Sequence, residues 1–257
     1  MVLAILIGFS YDFNPLPGTE SDLKNAVSWC KSFDCEIKIF SDIPFPKSVR
    51  VTEGRTLLSL IVKRLKQQVP DKLIIYYSGH GVKDSMVMPN KELLLFTDFK
   101  DNIINSVSDT TEIFWILDCC NPSGLHLPFK LVDNSFRLSE SKVVCLTQPI
   151  LLIASSEEGE KAIALKSGSL FSSKLFSVLK SLQDENNTVA NGRNRNLNRL
   201  IKNLSSSIRR VNTGYSQTVS VYSSYKIDPV LWMWIGSDKN YDVVTDTSLT
   251  TLIIRNN

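Results

Sequence analysis

Apolar positions along this 257-residue chain fall into two kinds of run that alternate with each other. Residues 3–8, 72–77, 112–117 and 149–154 are short and almost continuously apolar, the pattern of strands buried on both faces of a sheet. Between them the apolar residues recur at helical spacing. Leu23, Ala26, Val27 and Cys30 predict a helix over 22–31, and Leu57, Leu58, Ile61, Val62 and Leu65 predict one over 55–69. Leu170, Phe171, Leu175, Phe176 and Leu179 predict another over 169–182, with one more over 198–209. Residues 36–40 alternate as an edge-type strand, residues 218–222 and 231–235 read as late strands, and 249–254 is strand-like, suited to pairing with an exposed edge or to dimerisation. Alternation of this kind predicts an α/β fold, a three-layer sandwich with a mainly parallel central sheet flanked by helices.

Composition narrows the picture. With 43% hydrophobic residues, 257 positions bury one substantial core, so a single domain over 1–257 is expected. A formal charge of +3 demands neither nucleic acid nor an anionic membrane as partner. The basic cluster Arg193, Arg195, Arg199, Lys202, Arg209 and Arg210 lacks interleaved aromatics and reads as a solvated face. Trp232, Met233 and Trp234 read as packing. The opening apolar stretch is too short to span a membrane and lacks both a basic flank and a cleavage site. Five cysteines, two of them adjacent, argue for a reducing compartment, the cytoplasm, with at least one free thiol. Two distant histidines and no Cys-x-x-Cys give no metal spacing, no cofactor is indicated, and no glycine-rich phosphate loop follows the first strand.

The chemistry lies in two strings. Ser78-Gly79-His80-Gly81 closes one apolar run and Asp118-Cys119-Cys120 closes another. In a parallel sheet the C-terminal ends of neighbouring strands lie side by side, so a base and a nucleophile meet at one edge. Taken singly, such a histidine is an ordinary loop residue and adjacent cysteines are small buried hydrophobes; the pair together carries the signal. His126 reads as a surface residue.

These residues resemble the caspase-type cysteine peptidases (C14, clan CD): a strand ending Tyr-Tyr-Ser-Gly-His-Gly, a strand ending Leu-Asp-Cys-Cys followed by Ser-Gly, and residues 92–98 between them. The pattern is closer to the metacaspase and fungal caspase-domain branch and runs from about residue 3 to 182. The resemblance implies a caspase-like sandwich, with a large-subunit-like part over 1–125, an intersubunit-like loop over 126–148 and a small-subunit-like part over 149–257. It implies His80 as general base and acid, Cys120 as nucleophile and the amides of Gly81 and Cys120 as oxyanion hole, with Cys119 left to packing and Asp118 outside the catalytic set. The loop after the first strand, residues 10–18, carries no Arg or Lys to receive an aspartate. An S1 pocket for Arg or Lys is implied instead, built from Asp22 and from Glu158 (Glu157 with a one-residue slip), with Ser156 beside it.

The resemblance also implies peptide or protein substrates, a homodimer or caspase-family partner, and self-processing in an exposed loop over 125–148 at Lys130, Arg137 or Lys142. Calcium is a frequent requirement of metacaspases, and no residues here identify a site for it. Two departures stand out. The chain reads Cys120-Asn121-Pro122-Ser123-Gly124, one residue longer than the family's usual turn, and residues 105–112 leave little room for a crossover helix. They set an alternative beside the enzyme: a catalytically inactive homologue acting as a binding scaffold, decoy or regulator.

Overall fold

The computed structural model describes residues 1–122, 125–139, 146–188, 197–211 and 216–226, without the side chains of 184–188. In chain order its strands are β1 (Val2–Gly8), β2 (Cys35–Ser41), β3 (Ser48–Arg50), β4 (Lys72–Ser78), β5 (Gly81–Val82), β6 (Ser85–Val87), β7 (Leu93–Leu95), β8 (Glu112–Asp118), β9 (Phe129–Val132), β10 (Ser135–Leu138), β11 (Ile150–Ala154), β12 (Ala164–Leu165), β13 (Gly168–Ser169) and β14 (Ser220–Ser223). The helices are α1 (Thr19–Cys30), α2 (Gly54–Gln67), α3 (Phe96–Ile104), α4 (Leu170–Thr188) and α5 (Leu197–Arg209).

Nine of these strands form one sheet in the order β10-β9-β14-β11-β8-β4-β1-β2-β3. From β3 to β11 every pairing is parallel, whereas β14, β9 and β10 join antiparallel. The apolar runs become the central strands because helices cover both faces. Odd positions of β1, β4 and β8 pack with Leu57, Ile61 and Leu65 of α2 and with Phe96, Phe99 and Ile103 of α3. Even positions pack with Leu23 and Ala26 of α1, Phe171 and Leu175 of α4, and Leu200 and Leu204 of α5. Burying one such Leu or Phe side chain contributes about 1.5–3 kcal/mol, so both layers hold the strand ends firmly. No described helix is long and apolar enough to cross a membrane.

Three sequence expectations change. The strand over 36–40 is not an edge, because β3 pairs outside β2. The crossover helix that residues 105–112 could not hold begins earlier: α3 starts at Phe96, directly after β7. The segment over 125–148 is not an open loop. β9 and β10 form a hairpin in it, and β9 pairs with β14, so the hairpin extends the main sheet. Its strands are four residues each and the outer one largely exposed, too short to register against the stronger periodicities. Residues 231–235 and 249–254, with Trp232, Met233, Trp234, Arg193 and Arg195, lie outside the described residues.

Candidate functional site

Two residues that end neighbouring strands fix the site. Ser78 of β4 and Asp118 of β8 are register partners. Successive side chains of a strand point to opposite faces. Cys119 accordingly turns to the α2/α3 side, where it is 1% exposed within the core, and burial pushes its thiol well up. Cys120 is half-buried and faces a cleft. Asp22, Ser78, His80, Asp118 and Cys120 line that cleft, which is bordered on one side by residues 162–165.

The imidazole of His80 and the thiol of Cys120 are each held by a backbone group. The Nε2 of His80 lies 2.7 Å from the carbonyl oxygen of Asn14. A carbonyl only accepts, so Nε2 carries a hydrogen and, in the neutral ring, Nδ1 keeps its lone pair. The Sγ of Cys120 receives the backbone N–H of Ala162 at 3.3 Å. Gly81 comes so close to the end of β8 that a Cβ there would overlap the carbonyl oxygen of Cys120, which excludes any other residue. After the thiol, Asn121 takes the left-handed conformation (φ 48°), donates its N–H to the Glu160 carbonyl at 3.2 Å and accepts the Gly159 N–H on its side chain at 3.0 Å. Ser123 and Gly124 lie outside the described residues.

The floor of the cleft is acidic. Asp22, on the first turn of α1, is 2% exposed; it accepts the Ser169 N–H at 2.8 Å and the Ser78 hydroxyl at 3.0 Å. Asp118, 3% exposed, accepts the hydroxyls of Ser169 and Ser172. Burial, together with the Asp118 charge, raises Asp22 to about 7, and burial raises Asp118 as well. Two desolvated carboxyls, neither facing a cation among the described residues, thus sit below the thiol.

The sequence reading met this geometry in part. Asp22, His80 and Cys120 share the cleft. Glu158 does not: it is exposed and lines no part of it. Glu157 pairs with Lys130 at 2.8 Å, and Ser156 is fully buried, donating to the Cys119 carbonyl. The second acid beside Asp22 is Asp118, which the sequence reading had set aside. Strand parity was the available signal, since Asp118 stands two before Cys120 as Ser78 stands two before His80. The Asn14 carbonyl and Ala162 amide are backbone groups with no side-chain signature. Lys130 and Arg137 lie on the β9–β10 hairpin, and Lys142 is outside the described residues. Among the described residues, no cluster of three His, Cys, Asp or Glu could hold a metal ion.

The sequence profile described as the caspase domain matches residues 1–227. No curated protein matches the chain in sequence. Among solved structures, caspase-1 from Spodoptera frugiperda is similar at TM-score 0.53 and 15% identity, over 86% of this chain and 84% of that one. A protein from Geobacter sulfurreducens is similar at TM-score 0.61 and 14% identity, over 88% of this chain and 94% of that one. At these identities the likeness is one of fold.

Proposed function

The chain belongs to the caspase-domain family, and on that premise we propose that it is a cysteine endopeptidase that cleaves after Arg or Lys, as in the metacaspase branch. One observation carries the reading: a histidine whose Nε2 is engaged by a carbonyl and a half-buried thiol line one cleft at the shared end of two parallel strands. Nδ1 of His80 takes the Cys120 proton, and the thiolate attacks the scissile carbonyl carbon. The amides of Gly81 and Cys120 receive the oxyanion. Collapse breaks the C–N bond, His80 returns the proton to the leaving amine, and water, deprotonated by the same histidine, hydrolyses the thioester.

The preference for a basic P1 residue rests on Asp22 and Asp118. A guanidinium or ammonium entering the cleft would find two buried carboxyls that face no cation among the described residues, and charge-assisted hydrogen bonds in a desolvated site discriminate strongly. Peptide or protein substrates follow from the family. The test is a fluorogenic peptide panel with Arg, Lys, Asp or Ala at P1, with and without calcium, expected to give cleavage after Arg and Lys alone. Cleavage after Asp would overturn the specificity, and no cleavage in any arm would return the chain to the inactive-scaffold reading.

A further inference from the structure

Beside the cleft, Tyr11 makes contacts that neither the peptide chemistry nor the acidic floor uses. Its ring lies against the His80 imidazole, centroids 4.5 Å apart and tilted by 35°. Its hydroxyl accepts the backbone N–H of His80 at 2.8 Å and donates to the Val87 carbonyl at 2.8 Å. The Tyr77 hydroxyl lies 3.0 Å from it and donates to the His80 carbonyl at 2.7 Å. His80 is therefore gripped at its N–H, its C=O, its Nε2 and one ring face. A Cβ on Gly79 would come within 2.5 Å of the Tyr11 hydroxyl, so the glycine before His80 is what lets the tyrosine in.

Tyr11 is itself held in a costly conformation. It takes φ 63°, the left-handed region that a bulky residue occupies only when surroundings enforce it. Asp42, one residue past β2, supplies the enforcement: its carboxylate accepts the Ser10 and Tyr11 amides, each at 2.8 Å. Reversing the chain here swings the ring back over the strand ends. Burial keeps the phenol protonated, as a donor to Val87 requires.

We propose that Tyr11 is a positioning residue for His80, and that Asp42 acts through it by locking the turn. The ring fixes the imidazole's plane while Asn14 fixes its tautomer, so Nδ1 is aimed before substrate arrives. This rests on the peptidase reading for its kinetic consequence and on geometry alone for the contact.

The test uses Tyr11→Leu, which removes ring and hydroxyl, Tyr11→Phe, which removes the hydroxyl alone, and Asp42→Ala, which lies outside the cleft. Two measurements are made on each: kcat and KM on an Arg-P1 peptide, and the imidazole resonances, simple to assign because the chain has two histidines. Expected are a kcat lowered roughly a hundred-fold in Tyr11→Leu and about ten-fold in the other two, an unchanged KM, and displaced His80 ring resonances with His126 unmoved. Wild-type kcat and unshifted His80 resonances in a folded Tyr11→Leu would overturn the proposal. Should Tyr11→Leu not fold, the same null result in Asp42→Ala would overturn it. A wild type that cleaves nothing would remove the peptidase reading, and displaced resonances in the variants would still support the contact.

Discussion

Ser78 and Asp118 stand opposite each other on adjacent parallel strands, and two residues beyond them stand His80 and Cys120. The same register sends Cys119 into the core on the opposite face. Cys120→Ala and His80→Ala are therefore expected to lower kcat/KM at least about 1,000-fold with little change in melting temperature. Cys119→Ala should keep activity within a few-fold and cost about 1 kcal/mol of stability through lost packing. Steady-state kinetics beside thermal unfolding separates the three; an inactive, folded Cys119→Ala would reverse the assignment.

The acidic floor makes a different prediction. Asp22→Asn and Asp118→Asn should each reduce kcat/KM on Arg-P1 and Lys-P1 peptides by about 30- to 1,000-fold, corresponding to roughly 2–4 kcal/mol for a desolvated charge pair. Glu158→Gln, exposed and away from the cleft, should stay within two-fold of wild type. A large loss in Glu158→Gln alone would move the pocket back to where the sequence reading first put it.

Asp22 also ties stability to pH. Its carboxyl titrates at about 7 in the folded chain, against an ordinary value of 3.8. Between those values the folded state holds a proton that the unfolded state has released, so stability falls as pH rises from about 4 to about 7 and levels off above. The loss is on the order of a few kcal/mol. Denaturant unfolding across this window should show the decline in wild type and a flatter profile in Asp22→Asn. A wild type that gains stability over the window relative to the variant would contradict it. An arriving cation favours the ionised pair, so KM for Arg peptides should also fall as pH rises through 7.

The hairpin over β9 and β10 bears on processing. Lys130 has paired strands on both sides and a salt bridge to Glu157, while Arg137 sits on the outer strand near Asp133. A peptidase needs an extended, unpaired segment, so active protein is expected to remain uncut after Lys130 and Arg137. Intact-mass measurement of wild type beside Cys120→Ala checks this, and fragments ending at either residue only in the wild type would contradict it.

Much of this was legible in the sequence. Continuous apolar runs marked β1, β4, β8 and β11 because strands covered on both faces have nowhere to put polar residues, and helical spacing marked α1, α2, α4 and α5. The two strings at strand ends brought His80 and Cys120 to one edge. What was hidden depended on non-local geometry. Asp118 joins Asp22 only because Ser169 of β13 reaches both, its N–H to Asp22 and its hydroxyl to Asp118, and the helix before β8 was concealed because α3 starts inside an apolar stretch that reads as strand. The grip of Tyr11 on His80 depends on a left-handed turn and a remote carboxylate, neither of which periodicity records.

The central claim, that Cys120 is the nucleophile of a basic-specific site, is tested most directly by covalent capture. The protein is treated with a peptidyl chloromethyl ketone bearing Arg at P1, and the adduct is located by peptide mass spectrometry. Stoichiometric modification of Cys120, abolished in His80→Ala and slower with an Asp-P1 reagent, is the expected result. Modification of Cys119 in its place, or of no cysteine while an Asp-P1 reagent reacts, would contradict the account.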